Sequence, residues 1–142
     1  MDRAQLSSSP QTCGLFISVI VVTYNSARTL EGTLSAAVSQ DYPDFEVIVQ
    51  DNASSDASLA IARRFEPAGV QVVACGSNRG FAGGNNDAVA RSRGGLIVLL
   101  NPDAVLPPGG LAQIARAFAD DPGMGILGAK LVDPDGVTLQ QC

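Results

Sequence analysis

Polar side chains follow each of four apolar segments in this sequence of 142 residues. They fall in four runs: Thr23-Tyr24-Asn25, 51–56, 76–81 and Asn101-Pro102-Asp103. Carboxylate and amide groups of this kind hydrogen-bond polar ligands, and carboxylate oxygens also bind hard cations such as Mg2+. The pattern therefore predicts a polar ligand pocket, provided that the fold brings the four runs together.

The elements between these runs predict how they meet. Apolar patterns predict strands at 16–22, 45–50, 70–74 and 96–100, and helices at 27–40, 58–65, 83–93 and 111–119. Connections that hold a helix require parallel strands, and right-handed crossovers then give an α/β fold, an open doubly wound sheet that is mostly parallel, with helices on both faces. Ligands bind beyond the carboxyl ends of such strands, where all four runs fall. A fifth strand at 125–132 and a turn at Pro134-Asp135-Gly136 are also predicted.

Two carboxylates are the main candidates for ligand contact. Asp56 can cap the following helix, which leaves Asp51 without a structural role and able to accept a hydrogen bond from a nucleobase N–H. Asp103 follows a buried strand and the fixed bend of Pro102, and it can bind a divalent cation together with substrate phosphates. The alternative for Asp103 is a turn carboxylate without a ligand.

The segment 80–86 leads into the third helix and contains three glycines. Glycine backbone can approach a phosphate closely, and a helix N-terminus offers free N–H groups to an anion. A flexible turn is the alternative interpretation. Arg79 lies directly before this segment, and it can bind a phosphate or be a solvated loop side chain. Asn25, in the loop after the first strand, can be a ligand or a helix cap.

Composition excludes several other classes. The chain has 9 basic and 14 acidic residues, a net charge of −5 and no histidine. These numbers argue against a nucleic-acid binder, a histidine-based triad and a histidine-ligated zinc site. Three cysteines without a CxxC pair indicate a reduced, cytoplasmic compartment. The mostly apolar run at 15–22 is too short to span a membrane, and the first strand is not followed by the GxGxxG of a dinucleotide-binding enzyme.

Four segments together resemble the family 2 glycosyltransferases of the GT-A fold, and within them the rhamnosyltransferase-like branch. These segments are 19–26, 46–56, 78–86 and 99–103. The resemblance implies a nucleotide-diphosphate sugar donor, a saccharide or lipid-linked acceptor, and a role in cell-wall or polysaccharide biosynthesis. The donor-binding residues that it implies are Thr23, Tyr24, Asn25, Asp51, Asn52, Asn78, Arg79, Gly80, Phe81, Asn85 and Asn101.

The same resemblance implies a metal-dependent, inverting transfer. Asn101 stands where the family carries the first Asp of its DXD motif, and Asp103 would bind Mg2+ or Mn2+ at the donor diphosphate. A carboxylate base would take the proton from the acceptor. The family's base lies downstream of the DXD-like motif, and we expect it beyond Cys142.

We therefore expect a disordered tail at 1–14 and, at 15–142, the nucleotide-sugar-binding part of a glycosyltransferase domain without its acceptor half. Two hypotheses stay open. The first is a truncated or fragmentary glycosyltransferase. The second is a non-catalytic nucleotide-binding or accessory module derived from such an enzyme. No transmembrane segment is predicted in this chain, and a peripheral position at the inner face of the membrane is an open alternative to a purely cytoplasmic one.

Overall fold

The computed structural model describes residues 14–133 and residue 136. The tail predicted at 1–14 lies outside this part of the chain, apart from Gly14. The elements are β1 (Ile17–Thr23), α1 (Leu30–Val38), β2 (Phe45–Asp51), α2 (Ser58–Arg63), a short 3₁₀ helix (Glu66–Ala68), β3 (Gln71–Ala74), α3 (Gly80–Val89), β4 (Leu96–Leu99) and α4 (Gly110–Asp120).

The four strands form one parallel sheet in the order β3-β2-β1-β4. On one face, Val19, Val21 and Val49 pack with buried residues of α1, α2 and α4. On the other face, Ile20 and Ile48 pack with Ala88 of α3. Helices therefore cover both faces, and the predicted doubly wound α/β fold is confirmed.

The strand order reverses at β1, because β2 and β3 extend the sheet on one side of it and β4 is added on the other. In open α/β sheets, the crevice at such a reversal, beyond the carboxyl ends of the strands, is the usual ligand site. The loops that leave β1 and β4 border this crevice.

Two helices begin three residues away from the start that the sequence pattern predicts. α1 begins at Leu30 and not at 27, because the N–H groups of Ser26 and Ala27 donate to Ser58 Oγ (2.8 Å) and Asp56 Oδ2 (3.0 Å). α3 begins at Gly80 and not at 83, because Asn78 Oδ1 accepts the Gly80 N–H (2.8 Å) and supports an earlier first turn.

The predicted fifth strand at 125–132 is wrong. The structure has no strand over these residues and only an isolated bridge at Val132. Gly125 and Gly128 offer no side chain to pack, and Ile126 is 91% exposed. The predicted turn lies partly outside the described residues, but the Gly136 N–H donates to the Asp133 carbonyl (2.8 Å), as in a β-turn.

The buried Glu46 side chain joins three segments at the amino end of the sheet. Its Oε1 accepts from Ser18 Oγ (2.6 Å) and the Arg93 N–H (2.7 Å), and its Oε2 accepts from Gln71 Nε2 (2.8 Å) and Arg93 Nε (3.1 Å). Burial raises the pKa of Glu46, but the hydrogen bonds from Ser18 and Arg93 and the Arg93 charge lower it by more, so the pKa lies below its ordinary value. The connection from α3 to β4 is thereby fixed to β2, and the Gly94 N–H also fixes it to β1 by donating to Ser18 Oγ (2.8 Å).

α3 approaches the sheet closely at Gly84. A Cβ atom at this position would lie 2.8 Å from Val22 Cγ1 and 3.0 Å from Asn52 Nδ2. The first distance is shorter than real Cβ contacts and the second is tighter than most of them, so α3 can approach this closely because residue 84 is glycine. At least one glycine of the segment 80–86 therefore serves helix–sheet packing.

We expect Glu46→Gln to lower the free energy of unfolding by about 1–3 kcal/mol at pH 7, because the neutral amide weakens the bonds to Arg93. The folded-state pKa of Glu46 is lowered, so its stabilisation is present above the ordinary pKa and is lost as the pH falls through the folded-state pKa. The advantage of the wild type should therefore shrink as the pH falls from the ordinary pKa of 4.5 through the lowered folded-state pKa of Glu46. Urea unfolding of the wild type and of Glu46→Gln across this pH range measures the difference in the free energy of unfolding. The substitution Glu66→Gln, at an exposed position, is the matched control. A deficit of Glu46→Gln that does not depend on pH would contradict the charge-based account.

We expect Gly84→Ala to lower the free energy of unfolding by about 1–3 kcal/mol through overpacking. Gly32→Ala is the matched control, because a Cβ at Gly32 in α1 meets no atom within 4 Å. It should raise stability by about 0.5–1 kcal/mol, since alanine is the better helix former. Thermal unfolding of both variants tests the packing, and an unchanged stability in Gly84→Ala would refute it.

Candidate functional site

A groove of about 350 Å³ opens where the sheet order reverses. The loop after β1 and the loop after β4 form its two sides, and it is lined by Asn25, Ser26, Arg28, Thr29, Pro102 and Asp103. The groove therefore occupies the position where ligands bind in open α/β sheets. It also brings together Asn25 and Asp103, which the sequence places 78 positions apart.

The Asn25 side chain cross-links two loops and does not cap α1. Its Oδ1 accepts from the N–H of Ser55 (2.8 Å) and of Asp56 (3.3 Å), and from Ser55 Oγ (3.2 Å). Asn25 has a left-handed backbone with φ of +52°, a conformation that asparagine adopts more readily than most residues. These bonds hold the first side of the groove against the loop after β2.

Asp56 serves both the helix and this loop contact. Its Oδ1 accepts from the N–H and the hydroxyl of Ser58 at the start of α2, and its Oδ2 accepts from the Ala27 N–H (3.0 Å). The hydrogen bonds from the Ser58 side chain and backbone lower the pKa of Asp56. Asp56 therefore supports the start of α2, as the sequence indicates, and also positions the loop after β1.

Asp51, the last residue of β2, is buried with a free acceptor. Its Oδ2 accepts the Ser54 N–H (3.0 Å), so the carboxylate has one structural partner that the sequence does not reveal. Its Oδ1 has no hydrogen-bond partner, and the same is true of Oγ1 of Thr23, which pairs in register with Asp51. Buried polar atoms without a partner are uncommon, and here two occur side by side at the rim.

Asn52 connects the end of β2 to the start of α3. Its N–H donates to the Thr23 carbonyl (2.9 Å) and its Nδ2 donates to the Gly80 carbonyl (2.9 Å). The side chain is 1% exposed, and Oδ1 has no hydrogen-bond partner. A Cβ at Gly84 would lie 3.1 Å from this oxygen, so Asn52 Oδ1 is buried against α3.

The side chains of the segment 78–85 mostly serve α3 itself. Asn78 Oδ1 accepts the Gly80 N–H, and Asn85 Nδ2 donates to the Phe81 carbonyl (2.8 Å). Arg79 forms an ion pair with Asp87 Oδ2 (2.9 Å). None of these residues lines the groove.

Two aromatic rings are exposed near the carboxyl ends of the strands. Tyr24 directly follows β1 and is 51% exposed, and Phe81 in the first turn of α3 is 59% exposed. Exposed rings of this kind are suited to stack on a planar base or a sugar face. The sequence identified both positions.

Arg28 is the charged residue among the three groove residues that the sequence analysis did not predict, the others being Ser26 and Thr29. It is an exposed side chain in the loop after β1, and it faces the groove together with Asp103. The available signal was its place in the loop, three positions after Asn25.

The groove offers a divalent cation one carboxylate, that of Asp103. In the described part of the chain, no three Asp, Glu, Cys or His side chains converge on one point. Mg2+ is commonly held by one or two carboxylates together with substrate phosphates and waters. The residues present therefore fit a metal that arrives with, and is shared by, a phosphorylated ligand.

A second cavity of about 540 Å³ lies between α4 and the loop before β2, at the opposite end of the sheet. None of the residues predicted for the site lines it. No helix among the described residues is both long and apolar enough to cross a membrane.

Comparisons with known proteins agree with this geometry. The chain is 30% identical over 125 residues to the succinoglycan biosynthesis protein ExoO of Rhizobium meliloti, a match that covers 87% of this chain and 36% of ExoO. The structure is similar to S. aureus TarS in complex with UDP-GlcNAc, with a TM-score of 0.67 and 29% identity over 75% of this chain and 31% of that one. It is also similar to the mannosyltransferase PcManGT of Pyrobaculum calidifontis in complex with GDP-Man and Mn2+, with a TM-score of 0.69 and 34% identity over 74% of this chain and 32% of that one.

These coverages mean that the chain spans about a third of the length of the relatives it matches. The profile of the Glycosyl transferase family 2 matches residues 18–140, which is nearly the whole described part. The fold is that of GT-A glycosyltransferase structures, and the chain belongs to glycosyl transferase family 2.

Proposed function

We propose that this chain binds the nucleotide-diphosphate sugar donor of a metal-dependent, inverting glycosyltransferase. The observation that carries the proposal is the groove between the loops of β1 and β4, which contains Asp103 and Arg28. Asp51 does not line this groove, but it ends β2 at the same carboxyl edge of the sheet and keeps an unpaired carboxylate oxygen. A polar groove at the strand-order reversal and an acceptor at the same edge suit a ligand that carries both a charged group and an N–H-bearing ring.

The base of the nucleotide belongs, in this proposal, at the ends of β1 and β2. Asp51 Oδ1 accepts the ring N–H of a pyrimidine, because Oδ2 is already bonded to Ser54. Thr23 pairs in register with Asp51, Asn52 joins the end of β2 to α3 through its bond to the Gly80 carbonyl, and Tyr24 supplies an exposed ring. Asn25, Asn78, Gly80, Phe81, Asn85 and Asn101 complete the proposed surface along the donor.

Asp103 is the proposed ligand of Mg2+ or Mn2+ at the donor diphosphate. When bound, the metal stabilises the negative charge that grows on the leaving diphosphate as the glycosidic bond breaks. Pro102 fixes the backbone before Asp103, and the Ala104 N–H donates to the Asn101 carbonyl (3.1 Å), so this loop holds the carboxylate in a tight turn. PcManGT in complex with GDP-Man and Mn2+ supports the metal by analogy.

The donor and the acceptor are proposed at a coarser level. The resemblance favours deoxythymidine-diphosphate rhamnose as the donor, and the complexes of relatives with UDP-GlcNAc and GDP-Man make other donors the alternatives. We propose a saccharide or lipid-linked acceptor in polysaccharide biosynthesis, as the relationship to ExoO suggests. Because the chain spans about a third of its relatives, we assign none of its carboxylates as the catalytic base and place that base outside these residues. We propose a cytoplasmic site of action, with peripheral association at the inner membrane face.

We expect UDP or dTDP with Mn2+ to raise the melting temperature of the chain, because a ligand that binds only the folded state stabilises it by mass action. At a hundredfold excess over Kd, the gain is about 2.7 kcal/mol. Asp51→Asn should remove most of this shift, since the Ser54 N–H retains the amide oxygen and turns the NH2 group towards the base N–H. The exposed Asp41→Asn, in the loop before β2, is the matched control. No shift in the wild type with UDP, dTDP or GDP would overturn the proposed donor site.

We expect the shift produced by UDP to be larger with Mn2+ than with EDTA, because the metal joins Asp103 to the diphosphate. Asp103→Ala should make the two shifts equal while leaving the melting temperature without ligand nearly unchanged, since Asp103 is exposed. The exposed Asp120→Ala, at the end of α4, serves as control. Retention of the Mn2+ effect in Asp103→Ala would remove Asp103 from the metal site.

A further inference from the structure

Two arginines lie near the carboxyl ends of the strands, and only Arg79 is engaged by the protein. Arg79 precedes α3, and its guanidinium forms an ion pair with Asp87 Oδ2 (2.9 Å). Asp87 lies seven residues into this helix, about 10 Å along its axis at 1.5 Å per residue. α3 runs back across the sheet from the carboxyl rim, so this pair directs the guanidinium away from the rim.

The sequence of α3 favours this arrangement. The Arg79 side chain passes Gly83, where a Cβ would lie 3.1 Å from Arg79 Cβ. The Asp87 side chain is 23% exposed, so the pair is partly shielded from solvent. To reach a ligand at the groove, Arg79 must give up this partner, and the loss of the ion pair would reduce any gain in binding.

Arg28 is in the opposite situation. It lies in the groove itself, on the side formed by the loop after β1, while Asp103 belongs to the side formed by the loop after β4. The ion pairs found among residues 14–133 involve Arg64, Arg79 and Arg93, and none involves Arg28. Arg28 and Asp103 therefore line one groove without closing on each other.

A guanidinium and a carboxylate on the two sides of one groove match a ligand that carries both charges. A metal-chelated nucleoside diphosphate is such a ligand, because its cation faces a carboxylate and its remaining phosphate oxygens face a cation. We propose that Arg28, and not Arg79, binds the diphosphate of the donor opposite the metal held by Asp103. This inference rests on the proposed function and adds a phosphate-binding residue to it.

Isothermal titration calorimetry with two probes tests the assignment. UDP carries the diphosphate and uridine does not, and both are titrated into the chain in the presence of Mn2+. We expect Arg28→Ala to weaken UDP binding about tenfold or more, because it removes a charge-assisted hydrogen bond. Its affinity for uridine should stay unchanged, and Arg28→Lys should recover part of the loss for UDP. Arg79→Ala should remain within about twofold of the wild type, as should the exposed control Arg63→Ala.

Three results would overturn the assignment. The first is a loss of UDP affinity in Arg79→Ala but not in Arg28→Ala. The second is a UDP affinity that neither substitution changes. The third is an equal loss of affinity for uridine and for UDP in Arg28→Ala, which would indicate that the substitution changes the fold of the loop. The proposed function has a separate outcome, because it fails if the wild type binds no nucleotide. In that case, titration of inorganic pyrophosphate with Mn2+ tests the role of Arg28. Weaker pyrophosphate binding by Arg28→Ala than by the wild type supports the role, and any other result refutes it.

Discussion

The site depends on β1, which is hydrogen-bonded on both edges. It pairs with β2 over seven residues and with β4 over four, and all seven of its own residues are buried. The run of β-branched residues from Val19 to Thr23 is suited to a parallel strand covered on both faces. Because β1 has these two neighbours, the loops after β1, β2 and β4 leave the sheet side by side.

Hydrogen bonds between loops then give this rim its shape. Asn25 and Asp56 each accept hydrogen bonds from the opposite loop, and Asn52 continues the β1–β2 pairing by one residue. Asn25 and Ala53 both have positive φ, at +52° and +61°. For alanine this conformation costs about 1–2 kcal/mol, so the network of bonds must hold it in place. A rim that is fixed before the ligand arrives loses little conformational entropy on binding.

The sequence predicts the sheet and its polar ends because these follow from local pattern. Buried parallel strands are nearly continuous apolar runs, and each run here is followed by polar residues, as at Thr23, Asp51 and Asn101. The starts of α1 and α3 could not be predicted, because they depend on side-chain bonds such as that from Asn78 to Gly80. The wrong fifth strand has a related cause, since a short apolar run forms a strand only where a neighbouring edge receives it.

The two arginines show the same limit at the level of single side chains. The glycine-rich sequence that follows Arg79 predicts this residue as an anion ligand. In the structure, however, the Arg79 guanidinium forms an ion pair with Asp87, two turns further along α3. The sequence marks Arg28 only by its place three positions after Asn25, and Arg28 lines the groove only because β4 is added beside β1. The spacing of residues along one element can therefore be predicted from the sequence. A contact between elements that are distant in sequence can be identified only once the fold is known.

The unpaired oxygens at the ends of β1 and β2 connect stability with recognition. Oγ1 of Thr23 and Oδ1 of Asp51 are buried without partners, and each such group costs about 1–3 kcal/mol in the free chain. A ligand that donates to these atoms removes that cost, whereas one without matching donors leaves it in place. In the proposed donor site, discrimination between ligands would then come from the penalty of the wrong ligand more than from the contacts of the right one. Oγ1 of Thr33 and Oε1 of Gln50 are also buried without partners, so an unpaired oxygen alone does not mark a ligand site. Recognition at Asp51 is therefore inferred from its position at the carboxyl end of β2, where ligands bind in open α/β sheets.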